Sequence, residues 1–113
     1  MLQLKNTPRQ KKADSMVNEQ LMEAILDSNE SRVKLLLKNY GADVNYQNTF
    51  GQTPVIFSAK INSLKLFTYL LEQGADVFHE DKMGQNALHW AEHNGNDEIK
   101  NLIHDLQGKR PSL

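Results

Sequence analysis

The feature that most constrains this chain of 113 residues is a pattern that occurs twice, 33 residues apart. The letters GADV begin at Gly41 and again at Gly74, and the pair GQ follows at the same distance in both copies. Leu37, Leu70 and Ile103 continue the same spacing. Self-similarity at a fixed period of this length is typical of repeat architectures. We therefore expect a stack of structural units, each burying its apolar face against the next.

Turn-forming residues recur with the same period. Asn29, Asn62 and Gly95 are each separated by 33 residues. Asparagine and glycine are the residue types that best tolerate a left-handed backbone, which a tight turn between two helices requires. The spacing therefore predicts a helical hairpin in each period, with these residues in its turn.

Local signals within one period agree with this prediction. Thr53 and Pro54 read as a helix N-cap followed by proline at the first helical position, which predicts a short helix over about 54–61. A second helix is predicted over about 63–73, and Gly74 follows it where a helix C-terminus favours glycine. The apolar face of that second helix consists of Leu66, Phe67, Leu70 and Leu71. An extended segment with a turn near Gly84 completes the period.

A unit of extended loop, turn and two helices with a 33-residue period resembles the ankyrin repeat. The resemblance covers about residues 18–107 and rests on the letters GADVN, GQTP, GADV and ALHWA. The family pattern T-P-L-H-x-A-A is partly kept, as TPVIFSA in the second repeat and NALHWAE in the third, whereas the first has QLMEAIL. The resemblance implies an all-α, helix-turn-helix solenoid with short hairpin-like loops. Its three repeats are expected at about 18–47, 48–80 and 81–107.

The two ends of the chain are expected to differ from the repeats. Residues 1–17 are predicted to be a basic, partly disordered arm or the start of a first helix near Asp14 or Ser15, and 108–113 a basic tail. The third repeat places Lys100 and His104 where the second has Phe67 and Leu71. A polar outer helix is typical of a terminal repeat, and it favours a complete unit.

Charge limits the classes of partner. The net charge is -1, but residues 1–17 carry Lys5, Arg9, Lys11 and Lys12 against Asp14. The tail is also basic, so the body between the two ends is acidic overall. An acidic body disfavours binding of nucleic acid by the repeats. A nucleic-acid-associated regulator that uses the basic arm remains an alternative function.

Other features bear on chemistry and compartment. The chain has no cysteine, which excludes disulfides, thiol catalysis and thiolate-bound zinc. The first residues lack the apolar run of a signal peptide, and no stretch approaches the length of a membrane span. We expect an intracellular, cytoplasmic protein without a membrane segment, with signal-independent secretion as an open alternative.

His89, Glu92 and His93 spell H-x-x-E-H, the pattern of inverted zinc metallopeptidases. The resemblance to ankyrin repeats offers another interpretation, in which His89 ties its helix to a neighbouring loop and Trp90 occupies the core position of Phe57. Such peptidases need a third protein ligand, and no residue after His93 is expected to supply it. We therefore expect no enzyme, no metal and no cofactor, and keep a zinc hydrolase as the remote alternative.

The resemblance implies instead that function lies on the loop tips and the open side of the first helices, where ankyrin repeats usually bind other proteins. Large apolar residues at Phe50, Met83 and Ile61 favour an interface on this surface. The alternative is that Phe50 folds back to cover the core. A protein partner is expected, with no small-molecule substrate. The predicted partner-binding residues are Tyr46, Thr49, Phe50, Gln52, Lys60, Ile61, His79, Lys82, Met83, Gln85, His93 and Asn94.

Overall fold

Residues 8–108 form six helices in three consecutive hairpins. The computed structural model describes the backbone of these residues and the side chains of residues 15–108. Within this range no strand occurs, which confirms the all-α prediction. The helices are α1 (Pro8–Leu26), α2 (Glu30–Asn39), α3 (Pro54–Lys60), α4 (Leu64–Glu72), α5 (Ala87–Asn94) and α6 (Asp97–Gly108).

A polar side chain caps the start of each helix from α2 to α6. Thr53 was predicted to cap α3, and its side chain accepts from the Ile56 N–H, with Pro54 in the first turn. Such caps satisfy N–H groups that the helix itself leaves unpaired, and each stabilises a helix by about 1 kcal/mol. These five short helices are therefore specified locally. The other caps are Asn29, Ser63, Asn86 and Asn96.

The helices pack in two layers. The first helices of the hairpins lie side by side, with α3 between α1 and α5, and each packs against the second helix of its own hairpin. In the outer layer, α4 contacts α6. The core is continuous from Leu21 in α1 through Leu70 in α4 to Ile103 in α6, and all three side chains are buried. In this arrangement each repeat buries part of its apolar surface against the neighbouring repeat.

The first repeat is one residue out of the predicted register. Asn62 (φ 65°) and Gly95 (φ 67°) adopt the left-handed conformation, as expected, but in the first repeat Ser28 (φ 54°) does so. Asn29 instead caps α2 with φ -92°. The predictions for Asn29 and Leu37 were therefore wrong, and Leu36 is the buried equivalent of Leu70.

The cause is one additional residue at the end of α2. The Leu36 carbonyl accepts from the Ala42 N–H, whereas the equivalent Leu70 carbonyl accepts from the Ala75 N–H, one residue closer along the chain. The additional residue restores the common spacing at the GADV segments. The 33-residue period of the GADV segments therefore assigns the helical residues of the first repeat, which precede Gly41, to positions that are wrong by one residue.

The described residues end with the start of α1 on one side and the end of α6 on the other. The first helix begins at Pro8, earlier than the predicted start near Asp14 or Ser15, so residues 8–17 belong to α1. Residues 1–7 of the predicted arm and 109–113 of the predicted tail lie outside the described residues. In α6, Lys100 is half-buried and His104 exposed, as predicted for a polar outer helix. Among residues 8–108, no helix has the length and apolar character that crossing a membrane requires.

Candidate functional site

The first loop ends in a tight turn that presents Phe50. The Asn48 side-chain oxygen accepts from the backbone N–H groups of Phe50 and Gln52, both at 2.9 Å. The Asn48 backbone N–H donates to the Gln52 carbonyl at 3.0 Å, and Gly51 closes the turn with φ 76°. With its backbone held in this way, Phe50 projects into solvent and is 67% exposed. The alternative that Phe50 covers the core is therefore wrong.

The second loop repeats this turn with an aspartate in the same role. The Asp81 carboxylate accepts from the N–H groups of Met83 and Gln85 at 2.8 and 2.9 Å. The Asp81 N–H donates to the Gln85 carbonyl at 2.8 Å, and Gly84 closes the turn with φ 78°. Met83 occupies the position of Phe50 and is 81% exposed. Both tips therefore present a large apolar side chain from a backbone that is hydrogen-bonded at its base.

Direct hydrogen bonds join the two tips. The Lys82 N–H donates to the Phe50 carbonyl at 3.0 Å. His79 Nε2 lies 3.0 Å from the Gly51 carbonyl oxygen, so this nitrogen carries the proton and donates. At the base of the loops, the Asn45 side chain donates to Gly74 and accepts from the Asp76 N–H. The loops therefore form one connected surface rather than two independent segments.

The open side of the first helices carries a cluster of aromatic and cationic groups. The Lys60 ammonium lies 5.3 Å from the centre of the Trp90 ring and 5.9 Å from that of Phe57, distances suited to cation–π attraction. The His89 and His93 rings each meet Trp90 edge-on, at centroid distances of 4.9 and 5.6 Å. As predicted, Trp90 packs against the core at the position of Phe57.

The predicted binding residues fall into an exposed and a half-buried group. Apolar and charged tip residues dominate the exposed group, whereas the half-buried group contains residues that also serve the fold. The exposed residues are Thr49, Phe50, Lys60, Lys82, Met83, His93 and Asn94, and the half-buried residues are Tyr46, Gln52, Ile61, His79 and Gln85.

Three predicted roles change with the structure. Ile61 was expected on the open side, but it packs against the core as the C-cap residue of α3. Asn94 is exposed, yet its amide donates to the Ala59 and Lys60 carbonyls at the end of α3. His89 was expected to tie its helix to a loop, but its ring is exposed and contacts Trp90 and His93 instead. The tie between loops comes from His79.

The H-x-x-E-H residues do not assemble a peptidase site. His89, Glu92 and His93 are all exposed on α5. Within the described part of the chain, no three His, Asp or Glu side chains come close enough to hold one metal ion. A zinc peptidase needs three protein ligands and an enclosed position for its water. The arrangement in α5 meets neither requirement.

A family profile described as ankyrin repeats (3 copies) matches residues 21–111. The match covers the end of α1 and the five helices that follow it. This chain belongs to the ankyrin repeat family. The repeats of this family are generally protein–protein interaction modules.

Ankyrin segments of much longer proteins resemble this chain. Over 48 residues it is 44% identical to phosphocholine transferase AnkX of Legionella pneumophila, a match that covers 42% of this chain and 5% of that protein. Over 78 residues it is 31% identical to neurogenic locus notch homolog protein 1 of Mus musculus, covering 69% of this chain and 3% of that protein. An ankyrin repeat protein of Acanthamoeba polyphaga mimivirus is 41% identical over 54 residues, which are 46% of this chain and 13% of that protein. The chain thus spans a small part of the relatives it matches.

Asn48 and Asp81 are the site residues that sequence reasoning missed. They form the ankyrin loop turns, although neither contributes to the exposed tip. A signal was present, because each lies two residues before the large apolar residue and three before the glycine, at the common 33-residue spacing. Asparagine and aspartate favour such turns because their side chains accept from backbone N–H groups two residues ahead.

Proposed function

We propose that this ankyrin repeat chain is a non-catalytic module that binds another protein through its loop tips and the open side of its first helices. The observation that carries the proposal is the exposure of Phe50 and Met83 at equivalent tips. Aromatic residues and methionine are enriched at protein interfaces. Neither side chain is needed to cover the core, so their exposure calls for another explanation.

The rigidity of the tips supports the same proposal. Binding costs less free energy when the contacting groups are already ordered, because fewer conformations are lost on association. The side chains of Asn48 and Asp81 fix the two turns, and the Lys82–Phe50 hydrogen bond joins them. A partner would therefore meet two apolar anchors on a preorganised surface.

The charged residues beside the tips supply a polar rim. Lys82 lies next to Met83 on the second loop, and Lys60 lies on α3 beside Trp90. Both lysines are exposed and lack a salt-bridge partner within residues 15–108. Interfaces commonly surround an apolar centre with such polar groups. We propose that the two lysines contribute to partner selection and that Phe50 and Met83 contribute most of the affinity.

The test compares a double variant at the tips with one elsewhere. Phe50→Asp/Met83→Asp places carboxylates at both tips, whereas Leu35→Asp/Tyr40→Asp changes two exposed apolar residues of α2 and its C-cap, 47% and 59% exposed. Wild type and both variants are used to capture proteins from a lysate of cells that express the chain. Circular dichroism checks that all three are folded.

The proposal predicts proteins that wild type and the Leu35/Tyr40 variant capture and that the Phe50/Met83 variant loses. Identical capture by all three folded proteins would contradict it. Capture of nucleic acid in place of protein would also contradict it, and would direct attention to the basic residues 1–17.

A further inference from the structure

His89 and His93 lie one helical turn apart on the exposed face of α5. Their rings are nearly parallel, with an angle of 12° between the planes and 6.5 Å between the centroids. Both side chains are exposed, and neither ring has a hydrogen-bond partner within residues 15–108. The ring nitrogens are therefore available to a ligand from solvent.

The four-residue spacing of His89 and His93 on one helix allows both side chains to reach one metal ion. Residues four apart on a helix have Cβ atoms about 5–6 Å apart. Imidazole nitrogens bind zinc at about 2 Å, so two rings that share an ion have centroids roughly 5 Å apart. The observed separation of 6.5 Å exceeds this value modestly. An ion lies in the plane of each imidazole that binds it, so the two nearly parallel rings must also turn before they can share one. Both side chains are exposed and the terminal torsion of histidine is broad, so each ring can turn.

Trp90 lies against both histidine rings. Its indole contacts His89 at 4.9 Å and His93 at 5.6 Å, edge-on in both cases. Turning the two rings toward a shared ion changes these contacts, so the indole reports on coordination. Two fixed charges flank the pair, the exposed Glu92 carboxylate on α5 and the Lys60 ammonium over Trp90. Their opposite signs leave little net charge to oppose a cation.

We propose that His89 and His93 form a two-imidazole chelating site for a first-row divalent transition-metal ion, with Cu²⁺ bound more tightly than Ni²⁺ or Zn²⁺. Imidazole suits these ions, and the preference for copper follows their general order of affinity for nitrogen ligands. Water fills the remaining coordination positions. The site differs from the peptidase arrangement because it has two protein ligands and no enclosed water.

Chelation by two histidines sets the size of the expected effect. Once one imidazole has bound the ion, the second imidazole is present at a high effective concentration beside it, because the helix holds both side chains close together. Removing either histidine should therefore weaken binding by on the order of a hundredfold. The prediction is independent of the proposed protein partner, since the assay contains only the chain and the metal ion.

Trp90 also provides the measurement, because it is the only tryptophan of the chain and touches both histidines. The full chain, purified without a histidine tag, is titrated with Cu²⁺ buffered by glycine while tryptophan fluorescence is recorded. Bound Cu²⁺ quenches a nearby indole. The variants are His89→Ala and His93→Ala, and the matched control is His104→Ala, which removes an exposed histidine of α6. Circular dichroism verifies the fold of each protein.

The inference predicts saturable quenching at one equivalent, reversed when an excess of EDTA removes the Cu²⁺. It further predicts weakening of about a hundredfold in His89→Ala and in His93→Ala, and no change in His104→Ala. A second readout is broadening of the His89 and His93 imidazole resonances by substoichiometric Cu²⁺. Quenching that does not saturate, or that is equal in wild type and the His93 variant, would overturn the inference.

Discussion

Replacing Leu70 by alanine tests how the stack is held together. Leu70 has no exposed surface and lies in α4, which contacts α3 of its own hairpin and α6 of the next. The substitution removes buried apolar atoms and leaves a cavity, and such changes cost about 2–5 kcal/mol. Because neighbouring helices surround the side chain, the site has little freedom to collapse. We therefore expect a loss in the middle of this range, about 3–4 kcal/mol.

A loss of this size is large relative to the stability of a small domain, which is about 5–15 kcal/mol. It corresponds to a fall in the melting temperature on the order of 15 °C. Urea unfolding followed by circular dichroism measures the free energy directly. Leu35→Ala is the control, because that leucine is 47% exposed on α2, and its loss should stay below about 1 kcal/mol. Equal losses for the two variants would refute the assignment of Leu70 to the buried core of the stack.

Two further predictions concern the loop turns. Asn48→Ala removes the acceptor of two backbone N–H groups and should lower the free energy of unfolding by about 1–2 kcal/mol. The control Thr49→Ala should change it by no more than about 0.5 kcal/mol in the same urea assay. Equal losses in the two variants would show that the side-chain hydrogen bonds of Asn48 do not stabilise the fold. Gly51→Ala should lower the melting temperature more than Gly84→Ala, because both glycines have a positive φ but only a Cβ at Gly51 would approach the Lys82 nitrogen, at 3.1 Å. An equal fall in both variants would assign the cost to backbone conformation alone.

Helix placement could be predicted from the sequence because the signals are local. Thr53 and Pro54 specify the start of α3 whatever packs around it, and the observed helix ends at Lys60, within one residue of the prediction. The predicted second helix, 63–73, corresponds to α4 with its two cap residues. The left-handed turns at Asn62 and Gly95 follow from residue type in the same way. The additional residue in the first repeat was not predicted. It becomes visible in the backbone, through the hydrogen bond from the Ala42 N–H to the Leu36 carbonyl and the positive φ of Ser28.

The details of the site could not be predicted to the same degree, because they depend on contacts between repeats. Asn94 donates to carbonyls at the end of the preceding first helix, and Ile61 turns towards the core. His89 does not make the expected tie between helix and loop, whereas His79 joins the two loops because the fold brings it next to the Gly51 carbonyl. The exposed tips were predictable because they combine a large apolar residue with turn-forming neighbours. Their common function as a binding surface stays a proposal.

The measurement that tests the binding proposal most directly is crosslinking from the loop tip itself. A photoreactive phenylalanine analogue placed at Met83 should form covalent adducts with the partner in cells, because this side chain is 81% exposed and anchors the proposed interface. The same analogue at Leu35, on the outer helix α2, should form few adducts. None of them should contain the protein that is crosslinked from position 83. Specific adducts from position 83 that disappear with Phe50→Asp are the result predicted here. The same adducts from both positions, or adducts only from position 35, would contradict a binding surface at the loop tips.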